Sequence, residues 1–321
     1  MIALALAALL SATPVQDASA AQAAPATEEA PVRLEDVEVT GRSLESMINN
    51  FVASVAAPNP NRSLARWREG VCIGAASFEP ETAQYLVDRV STVASDLGLR
   101  AGAPGCSPNV LIVAAADADA FSQALVERHE RVMRVGGTGM DRGRAALREF
   151  RASDRPVRWW QVSMPVNADT GERAVRLPGE CQGSCGGADA GGSVYSFAPV
   201  TNVFAASRLS TQIVDDIFRT VVVVDARQLA DVQIQQLADY VAMVTFAQID
   251  PQADTRGYAT ILNVFDEPDS AASLTEWDKA YLAGLYNTQR TRKNLSSARS
   301  EIASSIQRAH ERLRTEEQSE D

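Results

Sequence analysis

Residues 236–251, QLADYVAMVTFAQIDP, decide how the second half of this chain is read. Ile234, Leu237, Val241 and Val244 fall on one face at helical spacing, which predicts a packed amphipathic helix. Val241, Ala242 and Met243 give that helix the bulk to fill a core. Just upstream, FRTVVVVD is rich in β-branched residues and reads as a strand. Downstream come an irregular stretch, ILNVF, and a second helix, LTEWDKAYLAGLY.

The segments on the N-terminal side are consistent with a sheet covered by helices. GVCIGAASF reads as a strand. EPETAQYLVDRVSTVASDLGL reads as a helix, with Pro80 in its first turn, Gly98 near its end, and Leu86, Val90, Val93 and Leu97 on its buried face. NVLIVAAAD is nearly all apolar, as expected of a central strand covered on both faces. With the helix ADAFSQALVERHERVM after it, this is a βαβ unit followed by another helix. PVRWWQVSMPV is a further strand, whose adjacent Trp159 and Trp160 must point to opposite faces. VFAASRLST then precedes IVDDIFRTVVVVD, and Ser43 is read as the cap of a helix over SLESMINNFVASV. The fold class is therefore α+β: a mixed sheet with packed helices, plus a C-terminal helix.

Composition narrows the function classes. The 321 residues are 45% hydrophobic and 22% charged, enough for a sizeable core. The net charge of −11 argues against binding to a nucleic-acid backbone. The first 20 residues resemble a signal peptide: residues 2–10 are apolar and Ala18-Ser19-Ala20 is a small-x-small cleavage pattern, although no Lys or Arg precedes the apolar run. Residues 21–40 are rich in Ala, Pro and Glu and read as a disordered linker. No later stretch is long and apolar enough to span a bilayer. The expectation is an exported, periplasmic protein with its folded domain over 41–290 and a charged helix with an acidic tail over 291–321. The apolar stripe of that helix, Leu295, Ile302, Ile306 and Leu313, is narrow, so it docks on the body or on another chain.

An exported chain with four cysteines points to disulfides. Three pairings exist. Cys72 with Cys106 is preferred because both lie beside predicted strands, which leaves Cys181 with Cys185 in a glycine-rich loop. Of the carboxylates, Asp215-Asp216 is read as a hairpin turn and DEPD, residues 266–269, as a solvated loop, neither with calcium-loop spacing. Arg158 beside Trp159 and Trp160 is a candidate ligand contact, since an arginine over an indole can hold a carbohydrate or peptide. There are two histidines. His129 begins HERVM, with Met133 where a metal motif needs a second histidine. His310 is expected in solvent.

From RTVVVVD to GLYN, the order strand, helix, irregular loop, helix resembles the catalytic half of a zincin metallopeptidase. It is closer still to a family of bacterial exported proteins of unknown function with a degenerate zincin-like domain. The resemblance implies a zincin-like topology. Zincins need H-E-x-x-H: two histidines one turn apart for the metal and a glutamate as general base. Aligned by that resemblance, Asp239 stands at the first ligand, Tyr240 at the base, Met243 at the second ligand, and Phe246 and Ile249 at the glycine and third ligand. A thioether is a poor zinc ligand and tyrosine is no base near neutral pH. The implied protein uses no metal or other cofactor. It binds an extended peptide or a cell-envelope protein on a scaffold that has lost its chemistry. Two other readings stand beside it: a hydrolase with an unrecognised, non-zinc site, and an assembly module acting through the C-terminal helix.

Overall fold

The structure, a computed structural model, describes residues 43–68, 70–134, 139–175, 210–291 and 295–320. The expected signal peptide, linker, Cys181–Cys185 pair and most of VFAASRLST lie outside these residues.

Three apolar strands form the parallel part of the main sheet: β2 (Ile73–Ala76), β4 (Val110–Ala115) and β6 (Ile213–Asp225). The fourth, β5 (Val157–Asn167), runs antiparallel along the outer side of β6, giving the order β2-β4-β6-β5. Two-residue strands β1 (Gly70–Val71) and β3 (Arg100–Ala101) pair separately. Parallel neighbours need a crossover, and α2 (Pro80–Asp96) supplies it between β2 and β4. Its buried residues are Leu86, Val90, Val93 and Ala94, and Gly98 closes it at φ +76°, in the left-handed region glycine tolerates. The predicted Leu97 is only half-buried, and Ala94 takes the core position.

After β4 the chain crosses to the other face. There α3 (Ala118–Met133) and α4 (Gly143–Ala152) pack Val126, Met133, Leu147 and Phe150 against Trp160, Val221 and Val223. β4 is central, as its apolar sequence predicts, but Leu111 remains 36% exposed, so one face is only partly covered there. Asp215 and Asp216 are not in a hairpin turn. They lie inside the 13-residue strand β6, buried, where Arg62 approaches Asp215 at 3.7 Å and Arg290 pairs with Asp216. Two adjacent acids mimic a turn in sequence, yet here arginines from distant segments neutralise them inside the sheet.

The decisive stretch forms α5 (Ile234–Phe246). It is buried all round from Gln236 to Phe246, a central helix rather than an amphipathic one; only its first two residues, Ile234 and Gln235, are exposed. Its last carbonyls are satisfied by remote side chains instead of a glycine cap. Gln161 Nε2 donates to the carbonyls of Val244, Thr245 and Ala247 at 3.0–3.2 Å, Trp67 Nε1 to that of Thr245, and Tyr286 Oη to that of Phe246. ILNVF contains a 3-10 turn, Ile261–Asn263. The helix after it, α6 (Glu276–Asn287), opens with a capping box in which Thr275 and Asp278 exchange hydrogen bonds. Asp278 also ties that loop down, accepting from Ile261 N at 2.8 Å and from Thr260 Oγ1.

At the other end of the chain, α1 (Leu44–Val55) is capped by Ser43, whose Oγ accepts from Ser46 N. The C-terminal helix α7 (Leu295–Glu320) packs against α1 and α6. Gly284 allows the close approach: a Cβ there would sit 3.0 Å from Ile306 N and 3.3 Å from Ile302 O. Ile302, Ala303, Ile306 and Ala309 are buried in this seam; the side chains of Leu295 and Leu313 lie outside the described set. His310 is 6% exposed and not in solvent as its charged surroundings suggested, because the helix docks on that side. No described helix is long and apolar enough to cross a membrane.

Candidate functional site: a cleft along the free edge of β5

Hydrogen-bond alternation fixes which groups of β5 face outward. Asp225 N donates to Pro156 O at 2.8 Å, so residues 156 and 225 form a bonded pair. Stepping by two along the register, Arg158 with Val223 and Trp160 with Val221 are also bonded pairs. The backbone N–H and C=O of Val157, Trp159 and Gln161 therefore point away from the sheet. Among the described residues none of these groups has a hydrogen-bond partner. The edge is closed only beyond the irregularity at Val162/Ser163, where Ser163 N donates to Met140 O at 2.8 Å.

This free edge opens into a cleft of about 430 Å³. α4 forms one wall through Ala146, Glu149 and Phe150, and the segment after α5 forms the other through Gln248, Ile249 and Gln252. A second cavity of about 240 Å³ shares Arg155, Trp159, Ile249, Pro251 and Gln252 with the first and reaches Tyr240 and Asp266. The two form one groove, from the free edge of β5 to the central helix.

The candidate contacts of the sequence lie here but are tightly held. Trp159 points to the α5 side, donating to Ile249 O at 3.3 Å; Trp160 points to the α3 side, donating to Met133 O at 2.7 Å. Each indole is thus mostly a core group. Arg158 is 3% exposed and reaches Asp119 at 2.6 Å, with no arginine–indole stack among the described contacts.

The residues aligned with a zincin site separate in space. Asp239 is fully buried and faces α2: Arg89 Nε and Nη2 donate to its two oxygens at 2.6 and 3.1 Å, and Leu274 N donates at 2.9 Å. Met243 is fully buried. Tyr240 turns instead toward the groove, its ring edge-on to Trp159 and Phe265 at 6.2 and 4.9 Å. Burial pushes its hydroxyl up to about 12; nearby Arg155 pulls it back and Asp266 adds to the rise. Neutral tyrosine is then the only form near pH 7, a hydrogen-bonding group and no base. Phe246 and Ile249 are also core, and His129 sits exposed at an irregular point of α3. Among the described residues no group of three or more His, Cys, Asp or Glu is placed to hold a metal ion.

The Cys72–Cys106 disulfide is formed, with its Cα atoms 6.0 Å apart, beside the β1–β3 pair. Sequence reasoning missed Arg155, the one charged side chain among the residues the two cavities share. Its signal is slight: an arginine just before a strand, in front of Pro156. Compared with known proteins, the chain matches no protein-family model, no curated protein and no solved structure.

Proposed function

We propose that this is an exported, non-catalytic protein that binds an extended peptide along β5, on a scaffold organised like a degenerate zincin. The observation that carries the reading is the edge at Val157, Trp159 and Gln161, without a partner among the described residues, of which Trp159 and Gln161 line the cleft. An added strand would satisfy these groups by main-chain bonds, with side-chain pockets on alternate sides. At about 3.4 Å per residue the edge from Val157 to Gln161 is roughly 14 Å long, enough for three outward-facing residues of β5. The order of parts supports the scaffold: an edge strand, the strand it pairs with antiparallel, then a buried helix, with a groove between edge and helix. The disulfide supports an oxidising compartment such as the periplasm.

The test uses pools of fluorescein-labelled hexapeptides titrated against the full chain by polarisation. The expected result is saturable binding that is lost when the pools carry backbone N-methyl groups, and weakened at least tenfold by Ala146→Trp, which fills the cleft. Absence of saturable binding, or binding indifferent to both changes, would overturn the reading.

A further inference from the structure

One arginine of the groove has no carboxylate partner among the described residues. Of the arginines along it, Arg142 reaches Asp250 at 3.2 Å, Arg158 reaches Asp119 and Arg256 reaches Asp254. Arg155 has no carboxylate within ion-pair distance among the described residues. It is half-buried, lines both cavities, and stands against the Tyr240 hydroxyl. Tyr240 is only 3% exposed and borders the second cavity; its hydroxyl is hydrogen-bonded with Arg155, and no acceptor for its own proton is found among the described residues. Two donors, one cationic and one neutral, thus meet where the cavities join, with Trp159 as a wall.

Resting on the peptide-binding reading, we infer that Arg155 and Tyr240 form a subsite for a carboxylate of the bound peptide. The guanidinium offers a planar fork that matches a carboxylate, and the phenol adds a third donor. Of the remaining acids along the groove, Glu149, Asp154 and Asp266 are all exposed, so water screens their repulsion of an incoming anion. The carboxylate can come from the peptide's C-terminus or from a Glu or Asp side chain; the chemistry at Arg155 is the same.

Three hexapeptide pools separate these cases by polarisation: free C-terminal acid without internal acids, C-terminal amide with Glu at one fixed position, and amide without acids. One acid-bearing pool is expected to bind about tenfold more tightly than the acid-free pool, and which one does so identifies the source. Arg155→Gln should bring that pool down to the acid-free value, and Tyr240→Phe should remove part of the preference. Binding by all three pools with equal affinity overturns the carboxylate subsite while leaving the peptide reading standing. A preference that survives Arg155→Gln overturns the assignment to this arginine. No binding by any pool removes both readings. The comparison among pools on the unchanged protein needs no variant to fold.

Discussion

Asp239 and Tyr240 are neighbours on one helix with different surroundings. Asp239 is closed in: both oxygens are held by Arg89, a third donor comes from Leu274 N, and α2 covers it. Tyr240 borders a cavity, beside an arginine with no carboxylate partner and a strand edge with no partner strand among the described residues. A buried polar group with all its bonds made holds a fold together. Polar groups left unmade at the rim of a cleft are where a ligand can add bonds. On the proposed reading, structure lies on one side of α5 and recognition on the other.

The strongest attempt to break this comparison is Val241→Asp. Val241 is fully buried, and an unpaired charge there costs several kcal/mol, a large share of a typical folding free energy. The variant should show no cooperative melt. A melt close to that of the parent would mean that α5 is not the centre of the core.

Next in size is the staple at the far end of the sheet. Replacing both Cys72 and Cys106 by Ala releases a crosslink spanning 34 residues, which the chain-entropy model values at about 3–4 kcal/mol. Denaturant titration should show a loss of that order with peptide binding retained, because the disulfide lies away from the groove residues.

Asp239→Asn sharpens the comparison directly. It weakens the bidentate bond to Arg89 and should cost about 2–3 kcal/mol, while pool affinity at temperatures below the melt stays within twofold. Tyr240→Phe should do the reverse, changing carboxylate preference with little effect on the melt. If Asp239→Asn abolished binding in a folded protein, the division between the two sides of the helix would be wrong.

A smaller effect concerns pH. Burial raises Asp215 to about 6, against the pull of Arg62 and Arg290, with Asp216 adding to the rise. A carboxyl raised above its ordinary value near 3.8 favours the fold while protonated. That contribution is full below pH 3.8 and is lost as pH rises through about 6. Asp215→Asn removes the titration. Its stability relative to the parent should therefore improve between pH 4.5 and 7, by on the order of 1–2 kcal/mol. A relative stability that falls over this interval would contradict the assignment.

Much of the scaffold was legible. Helical spacing located α2 and α5, apolar runs located β4 and β6, and LTEWDKAYLAGLY reads as the helix that forms α6, because these signals are local. What escaped depends on contacts far apart in sequence. The Asp239–Arg89 pair spans 150 residues. Asp215 and Asp216 looked like a turn because their arginine partners, Arg62 and Arg290, come from other elements. His310 looked solvated because the surface that buries it belongs to helices elsewhere in the chain. The site was less legible still. Trp159 and Trp160 drew attention as large residues, yet the feature that matters beside them is backbone, and a strand's position at the edge of a sheet is not written in its own residues. Arg155 stands out only once two cavities are seen to share it.

The most direct measurement is residue-resolved amide hydrogen exchange along β5, by NMR, with and without a binding hexapeptide pool. In the free protein, Trp159 and Gln161 should exchange markedly faster than Arg158 and Trp160, whose amides bond to β6, and the alternation should vanish when the pool is added. Equal protection of all four amides in the free protein, unchanged by peptide, would show that the edge is already paired and would contradict the account.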